Sequence, residues 1–135
     1  MIDVRSVLAA TDLTTDGDPV LRSAATVAQA FQASLHVLHV GAPGTEADRS
    51  AHENQLAAQV SRSLSSSDTA APLEIETAVV YDRPYHGILV HAAEVDADLI
   101  VVCPHQGSAM SARWSPTTAE RIVRSADVPC LVANQ

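Results

Sequence analysis

The sequence contains no lysine, so all eight of its basic residues are arginines. A Walker-type phosphate grip and Schiff-base chemistry both need a lysine amine, and the sequence excludes both. The eight arginines face sixteen acidic residues, which gives a formal net charge of −8. Nucleic acids and anionic membranes attract concentrated positive charge, so we expect neither as a partner.

Aromatic residues are also scarce, at 3% of the chain. A surface that stacks nucleic-acid bases needs several exposed rings, which this composition does not supply. Hydrophobic residues nevertheless make up 47% of the 135 residues, so the core must consist of Ala, Val, Leu and Ile. We expect one domain spanning residues 1–135, with helices packed closely on a sheet.

Two cysteines, Cys103 and Cys130, are too few for a disulfide framework. We expect no bond between them, because Cys103 ends one predicted strand and Cys130 begins its parallel neighbour, at opposite ends of the sheet. No apolar stretch follows a basic start, and no apolar run approaches about 18 residues. These patterns predict a cytoplasmic protein in a reducing compartment.

Strand and helix patterns alternate along the chain. Continuous or alternating apolar runs predict strands at residues 4–11, 35–40, 73–79, 99–103 and 128–133. Helical spacing and start signals predict helices from Asp18, from Thr45, after Pro84, and from Pro116 or Thr117. Strands that alternate with helices predict an α/β fold: an open, doubly wound, five-stranded parallel sheet with helices on both faces.

Four finer expectations concern the burial of side chains and the position of one strand. The first helix should bury the stripe Val20, Leu21, Ala24, Val27, Ala28 and Phe31. The second should bury Ala47, Ala51, Leu56, Val60 and Leu64, and its serine-rich end, Ser61, Ser63 and residues 65–67, is interpreted as a linker. His36 and His39 should point to opposite faces of the second strand, so they are not a metal pair. The third strand, with Glu74 and Glu76 on one face, should lie at or near an edge.

Segments along almost the whole chain, in their order and spacing, resemble the universal stress protein family. These segments are residues 7–12, 19–25, 35–40, 82–85, 97–102, 119–124 and 128–132. The resemblance implies the strand order 3-2-1-4-5 and a homodimer. The family often pairs its fifth strand across a two-fold axis, here Val128, Cys130, Leu131 and Val132. Pairing would also cover an exposed sheet edge.

One branch of the family binds ATP through a glycine signature after the fourth strand. Its glycines let backbone amides approach the phosphates, beside a helix N-terminus. Here Pro104 stands at the first glycine, Gly107 is kept, Pro116 stands at the third glycine, and the loop is one residue short. Each proline removes an amide donor. The altered loop therefore resembles the branch that does not bind ATP.

The resemblance leaves two functions open. The first is a non-enzymatic stress-response or regulatory module without the family's usual ATP binding, with no cofactor favoured. The second is ATP or AMP binding through a variant loop, with Asp12, Val40, Gly107, Ser108 and Thr117 as site residues. Ser111 could add an anion contact. Thr117 and Glu120 also form a capping box, or Pro116 takes the first helical position after Ser115.

No catalytic residues and no metal ligands are predicted. Cys103 and His105 are interpreted as a buried cysteine and an exposed loop histidine, and Trp114 as packing over the loop's pocket or at a dimer contact. The motifs Ser-Gly-Gly-x-Asp and His-x-Gly-His of adenylating enzymes are missing from the sequence. A receiver domain needs a lysine, and the acidic loop at residues 11–17 would repel a flavin phosphate.

Overall fold

A sheet of five parallel strands organises the chain. In the computed structural model, which describes residues 3–14, 18–64, 73–102 and 116–133, the strands lie in the order β3-β2-β1-β4-β5. The strands are β1 (Ser6–Thr11), β2 (Ser34–Gly41), β3 (Ile75–Tyr81), β4 (Leu99–Val102) and β5 (Cys130–Val132). The fold class and the strand order predicted from the sequence are confirmed.

Four α-helices connect the strands. They are α1 (Asp18–Phe31), α2 (Arg49–Leu64), α3 (Pro84–Glu94) and α4 (Pro116–Ser125), and a short 3₁₀ turn, Glu46–Asp48, precedes α2. Helix α4 begins at Pro116, which agrees with proline at the first helical position and places Thr117 inside the first turn. The predicted element boundaries are correct to within a few residues.

Each face of the sheet carries its own core because alternate residues of a strand point to opposite sides. From β1, Val7 and Ala9 pack against α1 and α2, in a cluster with Leu21, Leu35 and others. Leu8 and Ala10 pack on the other face with Ile88 of α3 and Ile122 of α4. The central strand β1 is buried along its whole length, as a parallel strand between two helical layers must be.

Two of the predicted apolar stripes are wrong in part. Phe31, the last residue of α1, is 50% exposed. Of the second predicted stripe, Ala47 lies in the 3₁₀ turn before α2, and both Ala47 and Ala51 are exposed. The buried face of α2 carries Leu56 together with the polar residues Gln59 and Ser63. Ser63 therefore belongs to the packed face of α2 and is not part of a linker.

Strand β3 lies at one edge of the sheet, as predicted. Fewer of its residues are buried than the alternating pattern suggested. Ile75 is 36% exposed and Thr77 is exposed, whereas Val79 is buried under α2. His36 and His39 differ in burial. His39 is buried, whereas His36 is half-buried and lies 3.4 Å from the Glu76 carboxylate of β3.

Strand β5 forms the opposite edge. It pairs with β4 in the register Ile100–Cys130 to Val102–Val132. Cys130 is a free thiol at the start of this strand, and burial raises its pKa. Cys103, the other cysteine, lies outside the described residues.

Candidate functional site

The carboxyl ends of the strands meet along one edge of the sheet. In the β1–β2 register Thr11 pairs with His39, so Asp12 and Val40 are the next residues of the two chain segments. Strand β1 lies between β2 and β4. The strands that follow β1 are added first toward the β3 edge and then, from β4 on, toward the β5 edge, so the strand order reverses at β1. Open α/β sheets bind ligands in the crevice at such a switch point.

The two carboxylate oxygens of Asp12, at this edge of the sheet, differ in their hydrogen bonds. Its Oδ1 accepts hydrogen bonds from the Thr14 amide at 3.0 Å and from the Thr14 hydroxyl at 2.6 Å. Its Oδ2 is buried, and no donor within the described ranges reaches it. An ionised carboxylate only accepts hydrogen bonds, so Oδ2 is suited to a ligand that brings a hydroxyl or an amine.

The turn that carries Asp12 has an unusual backbone. Leu13 has a φ of 71°, in the left-handed region that residues with a Cβ rarely adopt. The Leu13 amide donates to the Thr11 hydroxyl at 3.0 Å, which closes the turn. Strained backbone of this kind is concentrated at ligand sites, where the surrounding structure maintains it.

A group of polar rings lies beside the end of β2, on the face covered by α2. The buried His39 donates from Nδ1 to the Thr11 carbonyl at 2.9 Å. Its ring contacts His52 of α2 edge-on, and His52 is hydrogen-bonded to the Tyr81 hydroxyl at 2.9 Å. The Arg49 guanidinium lies 4.9 Å from the centre of the Tyr81 ring. These rings fix the ends of β1, β2 and β3 relative to α2.

Close packing fixes the last residues of β2 as well. A Cβ on Gly41 would lie 2.7 Å from Cε1 of Tyr81, so a larger residue here would force the ring to move. Val40 is fully buried and packs against Gly87 of α3, where a Cβ would lie 2.9 Å from Val40 Cγ1. The two glycines let β3 and α3 approach the end of β2.

A second charged group lies where β3 passes into α3. The Asp82 carboxylate is 2.6 Å from His86 Nδ1, one helical turn along the chain. This hydrogen bond is the main reason that the pKa of Asp82 lies below its usual value. The neighbouring Tyr85 ring lies beneath the Arg121 guanidinium of α4, at 4.8 Å. The contact between Tyr85 and Arg121 therefore connects the start of α3 to α4.

The structure brings together only part of the predicted site. Asp12 and Val40 are neighbours at the carboxyl edge, and Thr117 lies in the first turn of α4. Gly107, Ser108 and Ser111, like Pro104, His105 and Trp114, lie outside the described residues. In the described ranges there is no group of three side chains that could hold a metal ion. No helix in those ranges is long and apolar enough to cross a membrane.

The comparisons with known proteins decide the family. The sequence model of the universal stress protein family matches residues 3–134. The chain belongs to the universal stress protein family. No curated protein sequence matches the chain significantly.

Solved universal stress proteins have the same fold. One, in complex with cAMP, is 21% identical with a TM-score of 0.72, and the match covers 97% of each chain. The protein from Archaeoglobus fulgidus in complex with dAMP is 23% identical with a TM-score of 0.72, over 98% of this chain and 99% of that one. UspA from Lactobacillus plantarum is 22% identical with a TM-score of 0.68, over 96% and 97%.

In this universal stress protein, sequence reasoning missed the residue of α2 that reaches the turn carrying Asp12. Gln59 is 1% exposed and accepts a hydrogen bond from the Thr11 hydroxyl at 2.7 Å. Its position three residues after Leu56 places it on the buried face of the helix, and this spacing was the available signal. An amide on that face needs partners, and they come from the turn after β1.

Proposed function

We propose that this protein is a non-enzymatic regulatory member of the universal stress protein family that binds an adenine mononucleotide at Asp12. The observation that carries the proposal is the buried Asp12 Oδ2, which has no donor among the described residues. A ribose hydroxyl or an adenine amine is a donor of the kind that this oxygen lacks. Asp12 would hold the nucleoside, beside the backbone of Val40.

Two further observations support a nucleoside at this place. Asp12 and Val40 lie side by side at the switch point of the sheet, where ligands of open α/β folds bind. Two proteins of the same fold have been solved with cAMP and with dAMP, both adenine mononucleotides. The acidic chain disfavours additional phosphate charge, because its formal net charge is −8.

The proposal excludes the family's usual grip on ATP. Pro104 and Pro116 occupy two of the three glycine positions of the phosphate loop, and neither can donate an amide proton. Pro116 is the first residue of α4, at the helix end that would face the phosphates. The sequence keeps Gly107, Ser108 and Thr117, and we propose these three residues as contacts for a single phosphate group.

We also propose a homodimer through β5. This strand is an edge of the sheet, with Leu131 38% exposed and Val132 42% exposed. Exposed apolar edge strands are prone to aggregation, and pairing with a second copy would cover this edge. The low cysteine content is consistent with action in a reducing, cytoplasmic compartment.

Calorimetric titration tests the nucleotide proposal. AMP and ATP are titrated into the wild type, each with and without magnesium, and AMP is titrated into Asp12→Asn. We expect saturable AMP binding, and weaker binding by about tenfold in the variant, because one oxygen that accepts the ligand's donor is lost. Absence of heat and of any thermal shift at millimolar AMP would reject nucleotide binding and leave a module that acts without a nucleotide.

A further inference from the structure

Gln59 holds both sides of the turn that carries Asp12. Its Oε1 accepts from the Thr11 hydroxyl at 2.7 Å, before Asp12 in the chain. Its Nε2 donates to the Thr14 carbonyl at 2.7 Å, after Asp12, and to Asp18 Oδ1 at 3.0 Å. A side chain of α2, more than forty residues away in sequence, thus closes the turn from outside.

The turn depends on such a support because its backbone is unfavourable by itself. Leu13, in the middle of the turn, has a φ of 71°. The Thr11 hydroxyl accepts a hydrogen bond from the Leu13 amide and donates one to Gln59. A non-glycine residue stays in this region only where its surroundings hold it there.

The orientation of the Asp12 carboxylate follows from this turn. Its Oδ1 is fixed by the amide and the hydroxyl of Thr14, and Gln59 fixes the carbonyl of the same residue. With Oδ1 fixed, Oδ2 can point only in one direction, and it is the oxygen without a donor in the described ranges.

We propose that Gln59 is a positioning residue that holds Asp12 in the orientation required by a nucleotide, so that α2 contributes to the binding site. The inference rests on the proposed function of Asp12. A purely structural role is already filled by other residues of α2. Ser63 and Arg62 also donate to Asp18 Oδ1, at 2.8 and 3.2 Å, and these bonds connect α2 to α1.

The pair Gln59→Met and Ser63→Ala separates positioning from packing. Gln59→Met keeps the length of the side chain but loses the hydrogen bonds to Thr11, Thr14 and Asp18, whereas Ser63→Ala removes a hydrogen bond to Asp18 alone. We expect AMP binding to weaken by about tenfold in Gln59→Met, and by less than about twofold in Ser63→Ala. Equal losses in the two variants would reduce Gln59 to a packing residue.

A double-variant cycle tests whether Gln59 acts through Asp12. In an Asp12→Asn background the added Gln59→Met should weaken AMP binding by less than about twofold, because the group that it positions is already impaired. The same tenfold loss in both backgrounds would show that the two residues act independently, and would overturn the proposal.

Hydrogen exchange tests the positioning without any nucleotide. The Leu13 and Thr14 amides donate within the turn, so in Gln59→Met they should exchange at least about tenfold faster than in Ser63→Ala. If the wild type binds no AMP, the proposed function fails while this measurement still decides whether Gln59 holds the turn. Unchanged protection of both amides in Gln59→Met would overturn the inference.

Discussion

Asp18 should be one of the strongest single contributors to stability outside the apolar cores. Its Oδ1 accepts from the side chains of Gln59, Arg62 and Ser63, all on α2, and its own side chain is only 16% exposed. Asp18→Asn keeps the shape of the side chain but removes the charge that strengthens these bonds. The first turn of α1 would then lose much of its attachment to α2.

The magnitude follows from the burial of each donor. Arg62 is 54% exposed, so its ion pair with Asp18 is screened by water and contributes little. Gln59 and Ser63 are buried, and each bond loses about 1 kcal/mol when the charged acceptor becomes neutral. We therefore expect Asp18→Asn to lower the free energy of unfolding by about 2 kcal/mol at pH 7.

The effect should depend on pH in one direction. Burial alone would raise the pKa of Asp18, but the hydrogen bonds from Ser63, Gln59 and Arg62 outweigh it and hold the pKa below the usual 3.8. A lowered folded-state pKa stabilises the protein above 3.8, and this stability is lost as the pH falls through the folded value. The difference in the free energy of unfolding between wild type and Asp18→Asn should therefore become smaller only below about pH 4.

Urea unfolding at pH 7, 5, 4 and 3.5 measures this gap. The control is Asp127→Asn, at an exposed position after α4, which should change stability by less than about 0.5 kcal/mol. Two results would refute the role given to Asp18. One is a stability loss in Asp18→Asn no larger than that in Asp127→Asn, and the other is a stability difference from wild type that stays constant down to the lowest pH.

Two further predictions concern other parts of the fold. Gly41→Ala should cost about 1–3 kcal/mol in urea unfolding, because its Cβ would lie 2.7 Å from the Tyr81 ring. If Gly41→Ala costs as much in a Tyr81→Leu background, the ring is not the obstacle. Leu131→Glu should convert a dimer to a monomer in sedimentation experiments, because it places a charge on the exposed edge strand. The control Val90→Glu alters a residue of α3 with similar exposure, 41%, and the same shift in both variants would contradict a β5 interface.

The sequence predicted the sheet well because its strands and helices have clear periods. The run at residues 7–10 is buried on both faces, and this continuity indicates a central parallel strand. The strand order itself came from the family resemblance, since alternation alone does not order the strands. Edge strand β3 was also recognisable, because Glu74 and Glu76 share a face that the structure leaves exposed.

The hydrogen-bond partners of buried polar side chains could not be predicted in the same way. Gln59 and Ser63 are hydrophilic in any pattern, and their partners Thr11, Thr14 and Asp18 are more than forty residues away. Only the folded chain brings these groups together, so the attachment of α2 to the turn after β1 emerged from the structure. The position of Asp12 at the carboxyl edge was predictable, but the left-handed Leu13 beside it has no signal in the sequence.

The ratio of the AMP and ATP dissociation constants of the wild-type protein tests the central claim most directly. Binding through the nucleoside at Asp12, with a phosphate loop altered by Pro104 and Pro116, predicts that ATP with magnesium binds no tighter than AMP. Calorimetry in a single buffer gives both constants. ATP that binds ten or more times tighter than AMP, about 1.4 kcal/mol or more, would show that the loop holds a triphosphate and would contradict the claim.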